Sequence, residues 1–180
     1  MPIPTEPIES IPRTADLLAA MRAHAAGKIS TEQLKTAEES ALRDTISRLE
    51  QTGSPVITDG EQTKPSFATH PLSGLGNLAS GGVVIPFADG HTRQLPKLTA
   101  GPFRYGVHAV SYLTAAQRHA HRPLKQAVIT ASALSLLYPQ SGIDGYSRES
   151  FLEGLIREAE RDIRECLEGN AACVQIDFTE

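Results

Sequence analysis

Thr58-Asp59-Gly60-Glu61 places two carboxylates around a glycine directly after the apolar pair Val56-Ile57. Carboxylates so placed can hold an ammonium group or move a proton, or they can line a solvated turn. A second acidic end of the same form closes Val174-Gln175-Ile176-Asp177. Barrels and open α/β sheets put binding groups at the carboxyl ends of buried strands. Glu61 and Asp177 therefore line one site if their strands are members of one barrel; otherwise they are two ordinary loop carboxylates.

The remaining reactive side chains give weaker patterns. Asp89-Gly90-His91 can supply a base or a metal ligand, or it is a turn with a surface histidine. His119 and His121 stand two apart at a helix end, so they share no helix face and are expected to be exposed. Cys166 falls on an apolar helical stripe and reads as a small core residue, and Cys173 opens a strand and is expected to be buried. Their spacing matches no zinc pattern. No G-x-S-x-G, Walker or H-E-x-x-H motif is present. Gly74-Leu75-Gly76-Asn77-Leu78-Ala79 formally matches a dinucleotide fingerprint, but Pro71-Leu72-Ser73 before it and Gly81-Gly82 after it fit a loop, not a strand leading into a helix.

Those residues need elements to position them. Thr14 caps a helix that Gly27 can end, and Ser30 with Gln33 forms a capping box for a longer one carrying Leu34, Ala37, Ala41, Leu42, Ile46 and Leu49 at helical spacing. Ser147 caps a helix whose predicted buried stripe is Phe151, Leu152, Leu155, Ile156, Ala159, Ile163, Cys166 and Leu167, ended by Gly169. A helix is expected over 109–121, and a short one over 131–137. Strands are predicted at Pro7–Pro12, with prolines confined to its ends, at Val56-Ile57, Val83–Ala88, Leu124–Thr130 and Cys173–Asp177. Residues 64–82 and 93–102 read as loop or extended chain. Strands alternate with helices, and the better strands are continuous apolar runs, the pattern of a parallel sheet covered on both faces.

The chain has 180 residues, 40% of them hydrophobic and 21% charged, with a formal net charge of −4. That is enough for one domain with its own core, and it gives no electrostatic reason to expect nucleic acid or an anionic membrane. Two cysteines make no disulfide framework, and no apolar run approaches the roughly 20 residues of a membrane span. The start of the chain lacks the basic flank and apolar core of a signal peptide. The expectation is a soluble, cytoplasmic protein.

Four runs together carry a resemblance: Ile8-Glu9-Ser10-Ile11-Pro12-Arg13-Thr14, Thr58-Asp59-Gly60-Glu61, Val128-Ile129-Thr130-Ala131-Ser132, and Val174-Gln175-Ile176-Asp177. In this order, the chain resembles the cobalamin-independent methionine synthase family, in its catalytic C-terminal barrel and its short single-barrel relatives. The resemblance implies a (β/α)8 TIM barrel that serves methionine biosynthesis, moving a methyl group from a methyl-folate to the thiol of homocysteine held as thiolate on zinc. It implies that Ile8 and Ser10 touch the amino acid, that Glu61 and Asp177 grip its ammonium group from two sides, and that Arg93 and Gln94 contact the folate. Two departures stand out. Glu9 occupies a position where the family has glycine, and Phe178-Thr179 follow Asp177 where the synthases continue with Glu-Pro. These point to the short relatives and to a zinc-dependent alkyl transferase acting on another thiol, such as a coenzyme-type thiol. The family's zinc ligands, a His-x-Cys pair, a Glu and a later Cys, follow the motif at which this sequence ends, so no metal ligand is assigned here. About five of eight strands are expected, over residues 1–180, with no second domain. The implied object is the N-terminal half of a barrel: a fragment, a truncated gene model, a decayed copy, or a non-catalytic subunit. Its open edges would favour self-association or a complementing chain.

Overall fold

Local signals set the helices. In the computed structural model, which describes residues 5–86, 88–90 and 92–177, Thr14 Oγ1 accepts from Leu17 N at the start of α1 (Ala15–Ala25). Ser30 and Gln33 close a reciprocal capping box on α2 (Thr31–Gln51). Ser147 caps α5 (Arg148–Glu168), which ends at Gly169. The helix expected over 109–121 is the shorter α3 (Val110–Gln117), and the one over 131–137 divides into α4 (Ala131–Leu134) and a 3-10 turn, Ser135–Leu137.

The strands depart further from expectation. β5 (Lys125–Ile129) and β6 (Cys173–Asp177) pair in parallel, with Lys125 opposite Cys173 and Ile129 opposite Asp177. All five residues of β5 are buried, the polar Lys125 and Gln126 included. Val56-Ile57 contributes a single parallel bridge, Ile57 to Leu124, through Ile57 N to Pro123 O at 2.9 Å and Lys125 N to Ile57 O at 2.8 Å. The segment 7–12 is not a strand. Pro7 and Pro12 have no N–H to give. What tethers the segment is mostly side chain to backbone: Lys125 Nζ to Pro7 O at 2.6 Å, Thr58 Oγ1 to Glu9 O at 3.2 Å, and the backbone bond Ile11 N to Gly60 O at 3.3 Å.

The middle of the chain is antiparallel. β1 (Leu78–Ala79) pairs with β4 (Lys97–Leu98), and β2 (Val84–Pro86) pairs with β3 (Thr92–Gln94). A parallel partner for Val83–Ala88 was expected; the chain instead reverses through Asp89-Gly90, where Gly90 takes φ +87, the turn chemistry that favours a hairpin. The region of the formal dinucleotide fingerprint holds a turn at Gly74 and then β1, with no helix opening inside it. Among the described residues the three sheets have two strands each and none closes into a barrel. This is a mixed α/β architecture with the parallel order Ile57, β5, β6.

Two cores support it. Leu42, Ile46, Ile57, Ala109, Leu113, Leu124, Val128 and Cys166 pack α2, α3 and α5 onto β5. Leu98, Phe103, Leu134, Leu137, Phe151 and Leu155 fill the space between the hairpins and the start of α5. On α5 the buried face is rotated from the expected stripe. Glu158 and Asp162 are buried, while Ile156 and Leu167 are 59% and 53% exposed. The cause is the 103–109 loop, whose backbone N–H groups need acceptors: Glu158 Oε2 takes Tyr105 N at 3.1 Å and Asp162 Oδ1 takes Ala109 N at 2.6 Å. Among the described residues no helix is long and apolar enough to cross a membrane.

Candidate functional site

The loop after Ile57 folds back through its own side chains. Asp59 Oδ1 accepts from Glu61 N at 2.8 Å, and Thr58 Oγ1 accepts from Gly60 N at 3.2 Å. Gly60 and Glu61 both take left-handed backbone, φ +62 and +55. For Glu61 that conformation is strained, and strain of this kind gathers at functional sites. Gln62 Nε2 bonds Ile11 O at 3.2 Å, and Arg13 Nη2 donates to the carbonyls of Glu61 at 3.1 Å and Lys64 at 2.5 Å. The loop and the 7–14 segment are therefore one unit.

Inside this unit lies a buried ionic cluster. Lys64 is fully buried, with Nζ 3.1 Å from Glu61 Oε1, 3.1 Å from Ala127 O and 3.8 Å from Glu9 Oε1. Ser10 Oγ donates to the other oxygen of Glu61. Burial opposes charge on Lys64, yet Asp59, Glu9 and Glu61 together hold its pKa above the usual lysine value. Glu9 goes the other way. Burial first, then Asp59, push its carboxyl up to about 9 against the pull of Lys64. Neither oxygen of Glu9 meets an N–H or O–H donor, and with its pKa raised the carboxyl stays neutral at pH 7. His70 is buried against the same cluster, its Nδ1 3.0 Å from Phe67 O and its ring edge-on to Tyr112. Burial and Lys64 lower its pKa to about 4, which keeps it neutral.

One cleft, of about 300 Å³, opens beside the cluster. Ser10, Arg13, Glu61, Phe67 and Arg93 are among the residues that line it. The Arg93 guanidinium stacks on Phe67 at 4.9 Å. Ser10 and Glu61, which the resemblance assigns to the amino-acid substrate, and Arg93, which it assigns to the folate, line this one cleft. Ile8 is 80% exposed, and Gln94 lies exposed on β3 opposite Val84. Asp177 sits at the end of β6, its backbone carbonyl accepting from Thr130 N at 3.0 Å and its side chain from Gln175 at 2.7 Å. It lies across β5 from the Lys64 contact to Ala127. His91 and Phe178 lie outside the described residues. His121 is exposed and bonds Glu50, whereas His119 is largely covered, 3.6 Å from Glu39. Cys166 is fully buried, its thiol pushed up to about 12 by burial, and Cys173 is half-buried on the edge strand.

Sequence reasoning missed Lys64, His70 and Arg13. Lys64 stands three residues after Glu61, the one local signal available; its other partner, Ala127, is 63 residues away.

Solved structures match the chain, although neither a family model nor a curated protein sequence does. One match is a B12-independent methionine synthase from Shewanella sp. W3-18-1 in complex with selenomethionine, at TM-score 0.66 and 21% identity, covering 83% of this chain and 44% of that one. Another is the putative vitamin-B12 independent methionine synthase from Listeria monocytogenes, at TM-score 0.68 and 20% identity, covering 94% and 49%. The likeness is one of fold. The chain spans less than half the length of these two proteins, and the absence of a closed barrel agrees with a partial TIM-barrel arrangement.

Zinc is the metal that the resemblance implies. Among the described residues, no group of three or more His, Cys, Asp or Glu side chains is placed to hold a metal ion. The carboxyl groups of Glu9 and Glu61 meet the Lys64 ammonium instead, and Cys166 is a core thiol. These residues do not fit a zinc centre.

Proposed function

We propose that this chain carries the substrate side of a site for methyl or alkyl transfer to a thiol, of the kind found in B12-independent methionine synthases. The observation that supports it is the meeting of Ser10, Glu61 and Arg93, from three separated segments, in one cleft on a fold similar to theirs. In this reading Ser10 and Glu61 orient the thiol substrate, and Ile8 and Asp177 are its further proposed contacts. Arg93 and Gln94 meet the methyl-folate donor. The zinc that would hold the thiolate is supplied from outside this chain, by further sequence or by a complementing chain.

A second acceptor is favoured by a specific contact. Lys64 already occupies Glu61, which suits a thiol other than homocysteine. The test is calorimetric titration of the chain with homocysteine and with 3-mercaptopropionate, alongside a transfer assay with zinc and methyl-folate. Binding of one thiol without product formation by the chain alone is expected. One tightly held zinc per chain, or turnover by the chain alone, overturns the half-site reading; no binding of either thiol overturns the substrate role and leaves a non-catalytic subunit.

A further inference from the structure

The charged side chains lining the cleft are two guanidiniums, Arg13 and Arg93, and one carboxylate, Glu61. That carboxylate is spent internally. One oxygen takes Lys64 Nζ and the other takes Ser10 Oγ, and Glu61 itself is buried. The guanidiniums are not satisfied in the same way. Arg13 uses Nη2 on two backbone carbonyls and leaves Nε buried without an acceptor. Arg93 rests its face on Phe67 and leaves Nη1 buried without an acceptor. Buried charged donors without acceptors are costly, and a ligand oxygen that displaces the side chains covering them would remove that cost. The Phe67 ring lies 4.9 Å from the Arg93 guanidinium carbon, and the planar guanidinium fork matches a planar two-oxygen anion.

The geometry points to a cleft selective for a small organic carboxylate that carries no ammonium group, held by Arg13 and Arg93, with Lys64 filling the place at Glu61 that a ligand ammonium would take. This deepens the thiol-substrate reading by naming the head group. It also stands apart from that reading, because the anion contact needs no thiol.

The test titrates the whole chain with propionate, ethylammonium and 3-aminopropionate, reading the arginine Nε–Hε signals by NMR. Propionate should shift the Arg13 and Arg93 signals, ethylammonium should leave them unmoved, and 3-aminopropionate should bind more weakly than propionate. Arg93→Gln should weaken propionate at least about tenfold, the loss of one charge-assisted contact. Arg13 also ties the loop together, so Arg13→Lys, which keeps the charge and loses the fork, serves as the second variant and should weaken propionate while the chain stays folded. Ethylammonium binding as well as propionate, or propionate affinity unchanged in both variants, overturns the proposal. Propionate binding with neither thiol bound would retain it and reject the transfer reading.

Discussion

Lys64 Nζ sits 3.1 Å from Glu61 Oε1 and the same distance from the Ala127 carbonyl, so one buried ammonium joins the acidic loop to the central strand β5. Removing one member of such a pair leaves the other charge uncompensated in a low-dielectric interior. Lys64→Met should cost about 3–5 kcal/mol in urea unfolding. Lys64→Ala leaves space beside Glu61, and added ethylammonium should raise its unfolding midpoint while leaving the parent chain unchanged. An equal response of both chains would show that the ammonium site is not what Lys64 fills.

Gly60 sets where Glu61 stands. A Cβ there would lie 2.7 Å from Thr45 Cγ2 and 2.9 Å from Ile11 Cγ1, at a backbone φ of +62. Gly27 has a similar φ, +67, with nothing within 4 Å. Gly27→Ala should therefore show the backbone cost alone, about 1 kcal/mol, and Gly60→Ala should lose more, about 2–3 kcal/mol. Equal losses by denaturant unfolding would remove the packing argument.

Which parts of this were legible depends on how local the cause is. Thr14, Ser30 and Ser147 cap helices through bonds to residues three positions on, and sequence spacing alone finds them. The apolar run Ala127-Val128-Ile129 marked β5, and the short Cys173–Asp177 segment after Gly169 marked β6. Pro7–Pro12 failed as a strand because the side chains of Lys125, Thr58 and Gln62 take its carbonyls in place of a neighbouring strand, and Ile156 failed as core because Glu158 and Asp162 were needed to accept loop N–H groups. The resemblance placed Ser10 and Glu61 near one substrate, but their direct bond across 51 residues was not foreseen. No pattern marks His70, whose environment is made wholly by distant packing.

Asp162 is a test of that loop requirement. Asp162→Ala strands the Ala109 N–H and should cost about 1–3 kcal/mol, with faster hydrogen exchange at Ala109. Asp162→Asn keeps the acceptor. Burial raises the Asp162 pKa to about 6, so the native state binds more protons than the unfolded state between about pH 4 and 6. Asn should therefore match or exceed the parent's stability above pH 6.

The two cysteines should separate by reactivity. Burial raises both thiols, Cys166 to about 12, but Cys166 is fully covered in the core while Cys173 is half-buried at the start of β6. Iodoacetamide on the native chain should label Cys173 slowly and leave Cys166 unlabelled until denaturant is added. Peptide mapping reads the order, and labelling of Cys166 first would show that the α5 core opens readily.

Glu9 gives the sharpest pH signature. Its carboxyl is raised to about 9 in the folded chain, by burial and by Asp59, from an ordinary value of 4.5. Between those values the native state keeps a proton that the unfolded state has released. Stability then falls as pH rises, because unfolding releases that proton. The contribution is fully present below about pH 4.5 and is lost as pH approaches 9. Glu9→Gln is neutral at every pH and matches the protonated acid in shape. The variant should match the parent near pH 4.5, exceed it at pH 7, and exceed it by more at pH 9, read as urea midpoints. A parent whose midpoint does not fall across that window relative to Glu9→Gln would mean that Glu9 is ionised in the fold, and that Lys64 alone outweighs its burial.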